Sequence, residues 1–278
     1  MGTLKIRKTF MIVLCLALLL TSFSTTASAS TSNEYTEKEL DIILSKAGYP
    51  NLDRLDYMTK LYIVEYSGED LIYAGSSEVQ KYRYDEENNL KKIVSGEFQL
   101  NTIPDEDLDL WFDAFIVYVN GVKHVDVYPN FEWKDYALID NDQMAVAIPQ
   151  GWQIISNKDS CRTYWEFRDS GWVDESDCGG RPAKESTYGY SWGSLSDDTI
   201  VPLRYKGIAA FRAKKISNNA NVRFVGEYAH DTTENRTTTY SVGLSYGIVN
   251  FSISGGGGTS GGIDTAGFSY DLDFWDDY

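Results

Sequence analysis

Gly189-Tyr190-Ser191-Trp192-Gly193 is a pentapeptide whose spacing suggests covalent chemistry. Glycines flanking a serine in this way let a strained strand-to-helix turn project a hydroxyl towards a histidine base. His230 follows in the chain order that such a triad uses. The surrounding sequence does not supply the context. Arg181 to Thr187 is no hydrophobic strand, and Ser194 to Asp198 opens no amphipathic helix. The same residues fit a plain strand, with Tyr188, Tyr190 and Trp192 on one face and Gly189, Ser191 and Gly193 on the other. No catalytic residue is assigned. The aromatic row is instead the candidate ligand-binding set. Its rings stand about 6.5–7 Å apart, a spacing that suits stacking on sugar rings if the face is exposed. If it is buried, the row is core, the commoner fate of aromatic side chains.

Other constellations are weaker. Glycoside hydrolysis needs two carboxyl groups roughly 5–10 Å apart, and with 41 acidic residues some pair meets that distance by chance. The nearest compact motif is Trp165-Glu166-Phe167-Arg168-Asp169, where Arg168 is expected to pair the neighbouring charges. Acidic clusters at Asp105 to Asp109, Asp140 and Asp142, Asp174 to Asp177, and Asp271 to Asp277 offer oxygen ligands at alternate positions, which suit calcium. None has EF-hand spacing, so no cofactor is expected beyond a structural Ca²⁺ in one of them. Zinc lacks ligands, because His124 and His230 are the two histidines present.

The elements that must position these residues begin after an export signal. Lys5, Arg7 and Lys8 precede an apolar run from Phe10 to Leu20, and Ala27-Ser28-Ala29 supplies small residues for cleavage. Residues 1–29 therefore read as a cleaved signal peptide and the mature protein as secreted. No later segment is apolar enough to span a bilayer. Cys15 lies within the apolar run, so Cys161 and Cys178 remain after cleavage and are expected to form a disulfide worth about 3 kcal/mol. Losing three basic residues takes the net charge from −16 to −19. Such a charge repels nucleic acid and anionic lipid, and leaves neutral glycans, proteins and cations as partners.

Residues 30–66 read as a helical segment. Thr36 and Glu39 form a capping box, Leu40, Ile43, Leu44 and Ala47 make one stripe, and Gly48 and Pro50 end the helix. A second helix is predicted over Leu52 to Leu61, with Ile63-Val64 able to begin a strand. Residues 67–278 read as one β-rich domain with the disulfide. Asn120-Gly121 between two apolar runs predicts a two-residue type I′ hairpin pairing Val119 with Val122, Val117 with His124 and Ile116 with Val125. The C-terminal third alternates over Arg223 to Tyr228, Thr239 to Tyr246, Val249 to Ser254 and Phe268 to Phe274, predicting a meander. Its apolar phase flips at Tyr246-Gly247-Ile248, which requires a turn or bulge. Ser254 to Gly262 reads as a flexible loop.

The expected fold is mainly β, an antiparallel sandwich or open barrel behind a small helical hairpin. The expected role is extracellular and non-catalytic, binding a glycan or a protein. A secreted hydrolase and a pore-forming or antagonistic toxin are the alternatives. A cleft with convergent polar groups marks the first, and an amphipathic hairpin lying over an apolar strip marks the second.

Overall fold

A computed structural model describes residues 35–84, 90–93, 108–134, 142–167, 171–176, 178, 184–193, 195, 203–231, 239–254 and 263–272. The signal segment and the loop at 255–262 lie outside the described residues. Helix α1 spans Glu37–Lys46, with Glu37 and Glu39 in its first turn and Lys46 in its last, matching the helix dipole. It buries Leu40 and Leu44, and Gly48 follows at φ 89°.

The second helix differs from the expectation. Leu52–Arg54 is a short 3-10 turn, and helix α2 runs from Tyr57–Ser67. Asp56 decides the start by accepting a 2.9 Å bond from Thr59 N–H, and Gly68 at φ 86° ends it. Ile63 and Val64 are thus buried helical residues and begin no strand.

The remaining chain forms antiparallel strands. In order they are β1 (Ile72–Ser76), β2 (Gln80–Tyr84), β3 (Leu90–Lys92), β4 (Leu108–Val119), β5 (Val122–Trp133), β6 (Gln143–Ala147), β7 (Trp152–Phe167) and β8 (Gly171–Ser176). Then follow β9 (Lys184–Ser186), β10 (Gly189–Trp192), β11 (Arg204–Lys215), β12 (Arg223–Asp231), β13 (Thr239–Ser245), β14 (Ile248–Ser254) and β15 (Ile263–Asp271). One large sheet has the order β3-β2-β4-β5-β11-β7-β8, with β1 also on β4, and a smaller sheet has the order β15-β12-β6-β10-β9. The two pack face to face as a sandwich around an aromatic core that includes Phe112, Phe131, Trp133, Trp165, Tyr190, Trp192 and Tyr228.

The β4–β5 hairpin has the expected register, including Val119 opposite Val122 and Val117 opposite His124. Asn120 and Gly121 take φ 52° and 76°, as a type I′ turn demands. The C-terminal third is not a meander. β12 pairs with β15, and β13–β14 is a separate two-stranded hairpin between them in sequence. It lies on the outer face of the small sheet, where Val242 and Val249 pack on Ala145 and Ala147.

On the opposite flank the helices cover the outer face of the large sheet through buried polar contacts. Asp126, fully buried, receives Arg212 through bonds of 2.6 and 2.7 Å and Ser67 Oγ at 2.6 Å. The carboxylate holds the Arg212 guanidinium above its usual range. Asp113 gathers Tyr49 OH, Trp111 Nε1 and Asn130 Nδ2 in the same manner. Asp126→Ala strands a buried guanidinium, so a urea titration is expected to show a loss of about 3–5 kcal/mol. A loss below about 1 kcal/mol refutes this account of the helix–sheet joint.

Candidate functional site

The aromatic row divides at the surface. Tyr190 and Trp192 point between the sheets at 0 % and 1 % exposure, stacked on each other at 5.8 Å and packed beside Phe211. They are core, and the three-ring platform is corrected accordingly. Tyr188 alone reaches solvent, at 38 % exposure, with its ring edge-on to Tyr246 at 4.8 Å. The reason is that Tyr188 lies in the turn before β10, whereas Tyr190 and Trp192 stand on the strand, where alternation aims both at the large sheet.

Ser191 faces the other way. Its register partner is Ala145, on the outer face beneath the β13–β14 hairpin, where it is fully buried and its Oγ finds no hydrogen-bond partner among the described residues. His230 shares the inward parity of Tyr228, so the sheet separates the serine from the histidine. Nδ1 of His230 instead lies 2.6 Å from Asp142 Oδ1. Asp142 also accepts from Tyr205 and Tyr228, while Trp133 Nε1 donates to Tyr228 OH at 3.0 Å. Burial pushes both tyrosines well above their usual pKa. These polar groups converge inside a sealed core and bridge the two sheets.

Cys161 and Cys178 are bonded, with Cα atoms 5.6 Å apart. Glu166 pairs with Arg204 at 2.5 Å, which holds its carboxyl below the usual range, while Arg168 lies outside the described residues. Trp165 is core, whereas Trp172 is half-buried, under Arg204 at 5.4 Å and Lys206 at 4.4 Å. Burial drives Lys206 down to about 7, but Asp56 touches the ammonium directly. That contact favours the charged ammonium. Of the acidic clusters, Asp142 lies in the core network, Asp109 meets Lys134 and Asp271 meets Arg223. No group of three or more metal-ligating side chains gathers among the described residues. Residues 105–107, 140, 177 and 273–277 lie outside them.

A different surface emerges at one end of the sandwich. Register carries the β4–β5 turn, the end of β11 and the start of β7 to the same edge, since Ala213 lies opposite Val125 and Lys215 opposite Trp152. Backbone bonds bring the turns of the small sheet to that edge: Ile216 N–H to Gly151 O, Ile148 N–H to Tyr188 O and Gly247 N–H to Ile148 O. Among the described residues ten large apolar side chains are exposed, and seven stand here: Tyr118, Val119, Val122, Tyr188, Ile216, Tyr246 and Ile248. An open groove of about 550 Å³ runs beside them, walled by Trp152, Ile154, Ile216 and Tyr246 with Gln153 and Glu185 as polar groups. Sequence reading missed all of these but Tyr188. The signal was present, for Tyr188 and Tyr246 each precede a glycine at a turn or strand boundary and Val119 and Val122 flank Asn120-Gly121, positions where polar residues are usual.

Neither a family model nor any curated protein matches the sequence. Among solved structures, the chain is similar to a collagen-binding domain from a Staphylococcus aureus adhesin at 10 % identity, over 47 % of this chain and 86 % of that one, with a TM-score of 0.28. A pore forming protein overlaps at 8 % identity over 69 % and 96 %, TM-score 0.30. Clostridium perfringens delta-toxin overlaps at 8 % over 72 % and 97 %, TM-score 0.27. Superposition that loose identifies no relative.

The burial pattern makes two substitutions diagnostic. Trp192→Ala is expected to cost about 3–5 kcal/mol in a denaturant titration, whereas Tyr188→Ala stays within about 0.5 kcal/mol. Equal costs contradict the split of the row. Ser191→Ala removes an unpartnered hydroxyl and is expected to leave stability unchanged or raise it by up to about 1 kcal/mol. Stoichiometric labelling of Ser191 by a serine-directed fluorophosphonate counts against that assignment.

Proposed function

We propose that the protein is exported by residues 1–29 and acts outside the cytoplasm as a non-catalytic interaction protein. Its contact surface is the turn end of the sandwich, and its ligand is a neutral glycan or a protein surface. The observation that carries the reading is the gathering of seven exposed apolar side chains on that one end, beside a groove. Soluble proteins seldom leave such patches uncovered without a partner. Tyr188 and Tyr246 offer ring faces and edges, while Gln153 and Glu185 offer hydrogen bonds to hydroxyl groups. The Cys161–Cys178 bridge supports an oxidising compartment. The net charge of −16 disfavours polyanions as ligands. Tyr190 and Trp192 serve the surface only indirectly, by fixing β10 and hence the turn that bears Tyr188.

Arrays of neutral glycans and of extracellular proteins, probed with the native chain and with the Tyr188→Ala/Tyr246→Ala double variant, test the reading. The expected outcome is a ligand whose signal falls at least tenfold in the variant. Ligands bound equally by both chains refute it.

A further inference from the structure

Three lysine or arginine side chains are buried among the described residues, and two of them are well served. Lys60 reaches Glu37 at 3.3 Å and Asp41 at 2.7 Å, and Arg212 takes both carboxylate oxygens of Asp126. Lys206 is the exception. Its side chain is 8 % exposed, with Nζ 4.4 Å from the centre of the Trp172 ring and 5.5 Å from that of Tyr164. An ammonium has three N–H donors, yet this one forms no hydrogen bond among the described residues. One carboxylate touches it, that of Asp56, through Oδ2. Nearby acids are already occupied. Glu132, opposite Lys206 in the β5–β11 register, meets Lys134 at 2.8 Å, and Glu166 meets Arg204 at 2.5 Å.

We propose that Lys206 and Asp56 condense once the chain has folded, joining Nζ to Cγ in an amide with loss of water. The inference concerns how the body is held together, and it goes beyond the interaction reading without resting on it. A buried ammonium with unsatisfied donors is costly, whereas an amide nitrogen carries a single N–H and no charge. An ordinary buried ion pair gathers further acceptors around the nitrogen, as Glu37 and Asp41 do around Lys60. Lys206 has instead two aromatic rings and one carboxylate. The new bond fastens Asp56, the N-cap of α2, to β11, the strand between β5 and β7. Residues distant in the chain are thereby locked together, and the helical cap is tied to the large sheet.

The geometry supplies what such a step needs. Contact with Asp56 favours ammonium and carboxylate, whereas burial beside the rings draws the amine down to about 7. Moving one proton from Nζ to Oδ2 removes both charges at once, which a water-poor site permits. An amine nucleophile then faces a carboxylic acid, and the fold holds the two in contact. As Nζ attacks Cγ, negative charge gathers on Oδ1. Thr59 N–H already donates to that oxygen at 2.9 Å, at the positive end of α2, and so stabilises the charge. The Cγ–Oδ2 bond breaks, and a second proton from the nitrogen leaves with the oxygen. Counted from ammonium and carboxylate, two hydrogens and one oxygen depart as water, and no oxidant or reductant is consumed. The side chain of Asp56 is 38 % exposed, which gives that water a way out. Oδ1 remains as the amide oxygen, so the cap on Thr59 survives the reaction.

Mass spectrometry of the purified chain, with its disulfide reduced, provides the test. The native protein is expected to be lighter than its sequence by one water. Trypsin is expected to release residues 55–60 joined to residues 205–212, uncut after Lys206, with fragmentation placing the branch between Asp56 and Lys206. Lys206→Met keeps an unbranched side chain and removes the nucleophile. Asp56→Ser keeps an N-cap and removes the carbon that is attacked. Both variants are expected to show their full sequence mass and no branched peptide. A native chain of full mass, a water lost at another position, or a branched peptide that survives in either variant overturns the proposal. If a variant fails to fold, the native digest decides by itself. The array measurement on Tyr188 and Tyr246 involves neither residue, so either idea can fail alone.

Discussion

A strand buried on both faces has no polar side, and β6 is such a strand. Met144, Val146 and Ile148 enter the aromatic core, while Ala145 and Ala147 lie under the hairpin, all at 0 % exposure. Its backbone is satisfied by β10 on one side and β12 on the other. This double burial sets what may stand around it. Gly189 must lack a side chain, because a Cβ there would sit 1.9 Å from Val146 O. Beside Val146 in β12, Gly226 leaves the room that the Phe268 ring fills. The small outer residues of β6 in turn allow a second layer to approach closely. The sandwich core, the seating of Tyr190 and Trp192, and the position of the hairpin all follow from this one strand.

The interior is also unusually polar for a β-sandwich core. Asp142 is reached by Tyr205 from the large sheet and by Tyr228 and His230 from the small one, so the two sheets are registered against each other by directed bonds as well as by contact area. Asp113 and Asp126 do the same for the helices on the opposite face. Apolar contact is non-directional, whereas these bonds fix one alignment of the two sheets. Specific seating is what such groups contribute where their net stabilisation is small.

How much of this was legible in the sequence follows from the range of each interaction. The type I′ turn at Asn120-Gly121, the α1 stripe and the phase flip at Tyr246-Gly247 are local, and each is found where the sequence puts it. Alternation set Tyr188, Tyr190 and Trp192 on one face, but Tyr188 falls in the turn before the strand, and no local pattern tells which face a second sheet will cover. The α2 boundary was missed because Asp56 caps a helix that apolar spacing alone starts too early. The meander was misread because β12 and β15 pair across the whole inserted hairpin. The apolar turn end was missed because its members come from four separate stretches of chain, and proximity between them is a product of the fold.

The strand order of the large sheet has a consequence in time. β11 lies between β5 and β7, although it follows both in the chain. Until residue 215 has been synthesised, β5 and β7 each carry an edge whose proper partner does not yet exist. The β4–β5 and β7–β8 pairs can form early from neighbouring segments, but the sheet cannot close on the way. A strand that arrives late must be slotted between two that are already present, and bare edges meanwhile invite pairing with the wrong strand or another chain. Such a fold is slow to complete and sensitive to crowding among its own nascent copies.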